Sequence, residues 1–199
     1  LEIKRLDNWR RMDLRSWAII WHSTRDGWQP MPGHGHQDFG AFELHHGELP
    51  VFIDLGRRSY GSSGDTDKSA EAHNVLTVDG IGPYPENKPY YTKKFRNYIT
   101  GSNPVWECNH NKVSVVTSSF SRLKGVGRWM RTWTFRDDEV IISDTIEGNG
   151  WHKIDRFLHT IHSTQISNGK VRFGPFEIAN STKPLLKSAD YWRSYGKSD

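Results

Sequence analysis

The feature that most constrains this chain is a succession of short strand-like stretches separated by tight turn signals, with no long amphipathic helix among them. Phe95–Thr100, Lys112–Ser119, Arg128–Arg136 and Glu139–Ile146 follow one another in this way. Shorter stretches then come at Trp151–Thr160, Gln165–Ser167, Lys170–Phe173 and Phe176–Ala179. Side chains alternate across a strand, so Trp129, Arg131, Trp133 and Phe135 share one face and Met130, Thr132 and Thr134 the other. Asp137-Asp138 makes a two-residue turn, and Asn168-Gly169 is a strong hairpin signal because both residues tolerate positive φ. Many short strands at regular spacing predict an all-β chain with little helix, folded as a large antiparallel β-sandwich.

The first half fits the same plan. Trp17–His22 is a compact apolar run, and 39–46 and 49–55 are strand candidates joined by Gly47-Glu48. Between them, residues 23–38 are rich in Gly, Pro and His and read as a loop. Residues 56–71 form a long polar Gly/Ser loop of the kind that often carries function, and His73–Asp79 is the next strand. Residues 1–16 read as a lead-in segment, by a short helix or otherwise, 17–187 as the β domain, and 188–199 as a polar tail. With 199 residues and 35% hydrophobic content, one core is the default. There is no internal repeat.

Nine Trp and a 13% aromatic share suit half-buried pleated surfaces, and most of these rings are expected in the core. The net charge of +4 and pI near 9.2 favour polyanionic partners. The cations are not gathered into one Lys/Arg block, which weakens the nucleic-acid reading; an anionic glycan is the other candidate, and so small a surplus also fits a plain solvated surface. Cys108 is the single cysteine, so an intrachain disulfide is excluded, and it is expected to be small and partly buried. No apolar run is long enough to span a bilayer, and Leu1-Glu2-Ile3-Lys4-Arg5 reads as the start of a fragment.

The chemistry-bearing cluster is Pro32-Gly33-His34-Gly35-His36-Gln37-Asp38. Histidines two apart in extended chain point the same way and can converge on one ion or one substrate. Asp54 ends one neighbouring strand candidate and His73 begins another, so a carboxylate and a third imidazole can join them. Arg57 and Arg58 follow Asp54 and could pair with a carboxylate or sulfate, or simply occupy an exposed loop. Asp38 could hold one imidazole or cap a turn, and Asn74 reads as a turn or supporting residue. Tyr60, Tyr84, Tyr90 and Tyr91 are expected to pack in loops. His45, His46, His110, His152, His159 and His162 are expected at the surface or at strand edges.

Three stretches in order resemble the heparinase II/III-like polysaccharide lyases. Gly33-His34-Gly35-His36-Gln37-Asp38-Phe39-Gly40-Ala41-Phe42-Glu43-Leu44 resembles their glycine-histidine-x-histidine-x-aspartate strand. Val51-Phe52-Ile53-Asp54-Leu55-Gly56 resembles their apolar-aspartate-x-glycine segment, and Ala72-His73-Asn74-Val75-Leu76-Thr77-Val78-Asp79-Gly80 their alanine-histidine-asparagine segment. Weaker likeness continues through Arg131–Phe135, Ile142–Gly148 and Arg156–His159, so the resemblance covers most of residues 30–160.

The resemblance implies the C-terminal, supersandwich-like β domain of a protein that cleaves uronic-acid polysaccharide by β-elimination, a carbon-oxygen lyase. His34 matches the active-site histidine of the cleft. His36, Asp54 and His73 match the ligands of one divalent metal, usually zinc, with a structural role. The family's tyrosine and its carboxylate-neutralising asparagine or histidine belong to an N-terminal α/α toroid that no stretch here resembles, so this chain alone is expected to be inactive. A bacterial, periplasmic or secreted parent is the accompanying expectation, with a cytoplasmic one as the alternative. The polysaccharide itself stays open. Two other readings stand beside this one. A cupin-like metal enzyme would carry glutamate three or four residues after the second histidine, whereas six residues separate His36 from Glu43. A noncatalytic carbohydrate-binding or glycan-biosynthesis module would need the basic, aromatic surface but no chemistry.

Overall fold

The computed structural model describes residues 3–23, 36–59, 66–84, 104–179 and 184–193. The fold is an antiparallel β-sandwich. Its first sheet is a meander in the order β1 (Ile3–Leu6), β2 (Trp9–Leu14), β3 (Trp17–His22), β4 (Phe42–His46) and β5 (Leu49–Phe52). The opening segment, expected as a lead-in, is therefore sheet: β1 and β2 form a hairpin closed by Asp7 at φ 48. After β5 come two short 3-10 turns, Thr66–Lys68 and Ala70–Ala72. Then β6 (Leu76–Val78) pairs with β11 (Ile154–Arg156) as a separate ribbon.

The second large sheet runs in the order β10 (Val140–Gly148), β9 (Val126–Phe135), β8 (Lys112–Thr117) and β7 (Val105–Asn109). A third sheet joins β12 (Thr164–Ser167), β13 (Lys170–Phe173) and β14 (Phe176–Ala179). The Asn168-Gly169 turn takes positive φ at both residues, 51 and 73, as its composition predicts. The expected strand 95–100 lies outside the described residues, and the 151–160 strand shrinks to Ile154–Arg156.

The alternation along β9 decides the packing. Trp129, Arg131, Trp133 and Phe135 are all buried and face the first sheet. Trp133 meets Trp21 at 5.4 Å and Phe42 at 5.8 Å between ring centres, and stacks on Trp106 at 6.2 Å. The edge-to-face contacts with Trp21 and Phe42 are the seam between the two sheets, and the Trp106 stack lies within the second sheet. Arg131 is the exception in an apolar row, and it is fully paired. Its Nε and Nη2 donate to Asp144 at 2.7 and 3.1 Å, and both side chains are at most 2% exposed. Asp144 also accepts from Trp129 and Arg156. Cys108 is exposed on β7 rather than partly buried, because β7 is the edge strand of its sheet. Among the described residues, no helix is long and apolar enough to cross a membrane.

Candidate metal centre

Asn74 brings the site's segments together. Its buried amide nitrogen donates to Phe42 O at 2.7 Å and Ile53 O at 2.8 Å, and its amide oxygen accepts from His159 N at 2.7 Å. One side chain thus ties the strand after His36, the strand before Asp54 and the segment after β11 to the residue next to His73. Arg131 Nη1 donates to Asn74 O, so the buried ionic network supports the same point. The 36–38 loop is pinned separately: Gln37 N donates to Lys68 O, and Gln37 Oε1 accepts from Tyr84 N. Tyr84 is buried against Phe39, in keeping with a packing role.

Within this frame the side chains form a hydrogen-bonded row. Arg57 Nη1 stands 3.3 Å from His36 Nε2, His36 Nδ1 stands 3.2 Å from His73 Nε2, and His73 Nδ1 stands 2.6 Å from Asp54 Oδ2. Arginine can only donate, which assigns the tautomers along the row. As a hydrogen-bonded row, His36 accepts at Nε2 and donates from Nδ1, and His73 accepts at Nε2 and donates from Nδ1 to Asp54; to ligate an ion through Nδ1, His36 would carry its proton on Nε2 instead and Arg57 would turn aside. Asp54 Oδ1 in turn accepts from Gly56 N at 2.9 Å.

Burial and the adjacent His73 push the His36 imidazole down to about 4, so it is neutral at physiological pH. His73 moves the other way: burial opposes its charge, but the Asp54 carboxylate outweighs it and raises the pKa. Asp54 is lowered despite its burial, because His73 stabilises the carboxylate. Asp38 is held at about 2 against its burial, chiefly by His22, whose Nδ1 lies 3.1 Å from Asp38 Oδ1. Asp38 thus holds an imidazole, as its position suggested, but the imidazole belongs to β3 rather than to its own loop.

The donor set suits a divalent ion. Two nitrogens each about 2.05 Å from one tetrahedral zinc stand about 3.3 Å apart, close to the 3.2 Å between His36 and His73. The ligand atoms of His36, His73 and Asp38 all lie within 4.8 Å of one another. Of the sequence-nominated residues, His36, Asp54, His73 and Arg57 come together, and His34 lies outside the described residues. Tyr60, Tyr90 and Tyr91 lie outside them as well. Arg58 points elsewhere: Nη2 donates to Asp190 at 2.9 Å, and the guanidinium lies 4.8 Å from the Trp192 ring centre. The 190–192 segment docks on this loop, with Trp192 N donating to Leu55 O.

Two contributors were not legible as such. His22 lies on a different strand from every histidine of the motif. His159, expected at the surface or a strand edge, is half-buried beside the site, and burial lowers its pKa against the pull of Asp54. Its place in the Arg156–His159 segment was the available signal.

Comparisons with known proteins bear on the family and the fold. The family described as heparinase II/III-like, C-terminal, matches residues 7–190. Among solved structures, a heparan sulfate lyase HepC mutant from Pedobacter heparinus shares the fold at a TM-score of 0.69 and 14% identity. The match covers 100% of this chain and 32% of that one, so this chain spans about a third of its length. No curated protein matches in sequence. The chain belongs to the heparinase II/III-like family, as its C-terminal domain.

Proposed function

We propose that this domain forms one wall of a polysaccharide lyase's cleft, held in shape by a divalent ion, zinc by preference. The observation that carries the reading is the facing pair of His36 Nδ1 and His73 Nε2, 3.2 Å apart, with Asp38 near the pair and Asp54 on the far nitrogen of His73. The resemblance assigns Asp54 as the third ligand. The hydrogen-bonded row favours a division of labour in which Asp54 holds the far nitrogen of His73 and Asp38 approaches the facing pair. When bound, the ion would supply a fixed charge that orders the 36–38 loop.

The substrate is an anionic, uronic-acid-containing polysaccharide, and the reaction is β-elimination. Removal of the proton next to the uronate carboxyl leaves enolate-like charge that needs a base and a neutralising partner. On this domain His34 is the base-side candidate, and Arg57, directed at His36, is the cation placed to meet a carboxylate or sulfate. The complementary groups come from a toroid domain in the parent protein, and this chain alone does not turn over substrate.

The test is metal analysis of the purified chain, followed by an assay for unsaturated uronate. About one divalent ion per chain, lost in His36→Ala and in His73→Ala, with no product from the isolated chain, supports the reading. Metal-free wild type removes the metal centre, and robust elimination by this chain alone removes the requirement for the toroid.

A further inference from the structure

The β1–β2 hairpin has a charge arrangement that its own folding does not ask for. Lys4 stands opposite Arg11, and Arg5 opposite Arg10, across the two strands. Like charges directly opposite one another destabilise a hairpin. Arg10 turns inward and lies 5.0 Å from the Trp106 ring centre, which gives it a packing role. Strand alternation turns Lys4, Leu6, Trp9 and Arg11 to the other face, away from the buried Met12. Asp13 takes Arg11 in a two-pronged contact, and Lys4 forms no ion pair among the described residues.

Trp9 joins this basic face to the metal centre. Its ring is 43% exposed and sits 4.9 Å from the His22 ring, which is itself buried and adjoins Asp38. Trp9, His22, Asp38, Glu43 and Asp54 line one shallow recess beside the metal centre. An exposed indole therefore stands between half-buried carboxylates on one side and the outward cations of its own hairpin on the other.

We infer that the outward face of the β1–β2 hairpin is a glycan subsite, with Trp9 as the stacking platform and Lys4 and Arg11 as contacts for a sugar carboxylate or sulfate. This rests on the polysaccharide reading above and extends it to a unit beyond the metal centre. A sugar ring offers an apolar C–H face to the indole, hydroxyls to the carboxylates of the recess, and its anionic group to the two cations. A nucleic acid would satisfy the indole and the cations, but its phosphates would meet Glu43, Asp38 and Asp54. That contrast makes the glycan the better occupant.

Electrophoresis of the whole chain through gels carrying heparin, alginate or neutral dextran tests the assignment. Wild type is retarded by at least one of the two anionic glycans and not by dextran. Trp9→Ala and the double variant Lys4→Ala/Arg11→Ala each weaken that retention about tenfold. Trp9→Phe stays within about threefold because it keeps an aromatic face. Lys170→Ala/Arg172→Ala, which removes as much charge from β13, stays within about twofold. If Trp9→Ala fails to melt cooperatively, the exposed double variant and Trp9→Phe carry the measurement. Hairpin variants retained like wild type overturn the subsite alone. Wild type retarded by neither glycan overturns both the subsite and the polysaccharide reading. Tighter binding to a single-stranded oligonucleotide than to either glycan overturns the choice of occupant.

Discussion

His73 is held between two partners of opposite character: Asp54 grips Nδ1 at 2.6 Å while Nε2 faces the neutral His36 at 3.2 Å. The carboxylate fixes the ring and the tautomer, and leaves the other nitrogen's lone pair directed at the place where a second imidazole waits. This is the arrangement by which a carboxylate behind a histidine raises its basicity as a ligand.

The two carboxylates should therefore be separable. Asp54→Asn keeps an acceptor near His73 and is expected to weaken divalent-metal affinity by about 10–100-fold. Asp38→Asn is expected to cost at least as much, because Asp38 stands with the facing imidazoles. Equilibrium competition with a chelator reads both. If Asp38→Asn leaves affinity unchanged, the ligand position belongs to Asp54.

Asn74→Ala removes three hydrogen bonds from a side chain 1% exposed. The orphaned Phe42 and Ile53 carbonyls make the loss about 2–4 kcal/mol in denaturant unfolding. Metal affinity should fall with it, since the segments bearing His36, Asp54 and His73 lose their common tie. An unchanged melting midpoint would show that these segments are held by other contacts.

Asp144 gives an acid limb to the stability curve. Burial raises its pKa, but Arg131, with help from Arg156 and Trp129, brings it below the ordinary carboxylate value. A folded pKa below the unfolded one means stability that is full above about pH 3.9 and is lost as pH falls through the folded value. Removing one partner should be severe: Arg131→Met leaves a buried carboxylate short of its main cation and is expected to cost about 3–5 kcal/mol at neutral pH. Chemical denaturation at several pH values checks both statements, and a curve flat down to pH 2 would contradict the first.

Arg57 and Arg58 should part company. Arg57→Ala is expected to weaken anionic-glycan binding about tenfold, because its guanidinium reaches His36. Arg58→Ala should act mainly on the tail, since Arg58 is committed to Asp190 and Trp192. Titration with alginate oligomers reads the first, and proteolysis of the tail reads the second. Equal loss of glycan binding in both variants would restore them as a pair.

The sheets were legible where large buried side chains recur at every second position. On β9 every second side chain is buried, so the pattern exposes the strand and its face together. The β7 strand was not legible because an edge strand with mostly exposed residues carries little alternation. The β1–β2 hairpin was hidden by its own charge, with Arg5 and Arg10 on the face that would otherwise read as apolar. At the site, the motif order brought His36, Asp54 and His73 into view. Spacing along the chain carries no trace of His22 behind Asp38, or of Asn74 spanning three segments, because both depend on which strands become neighbours.

On the proposed function, His36 and His73 share one metal ion. The most direct measurement is metal stoichiometry by mass spectrometry of the native chain beside His36→Ala and His73→Ala, each checked for folding by its melting curve. Sharing gives about one divalent ion per wild-type chain and a stoichiometry near zero in each folded variant. Metal-free wild type, or folded variants that keep the ion, would contradict it.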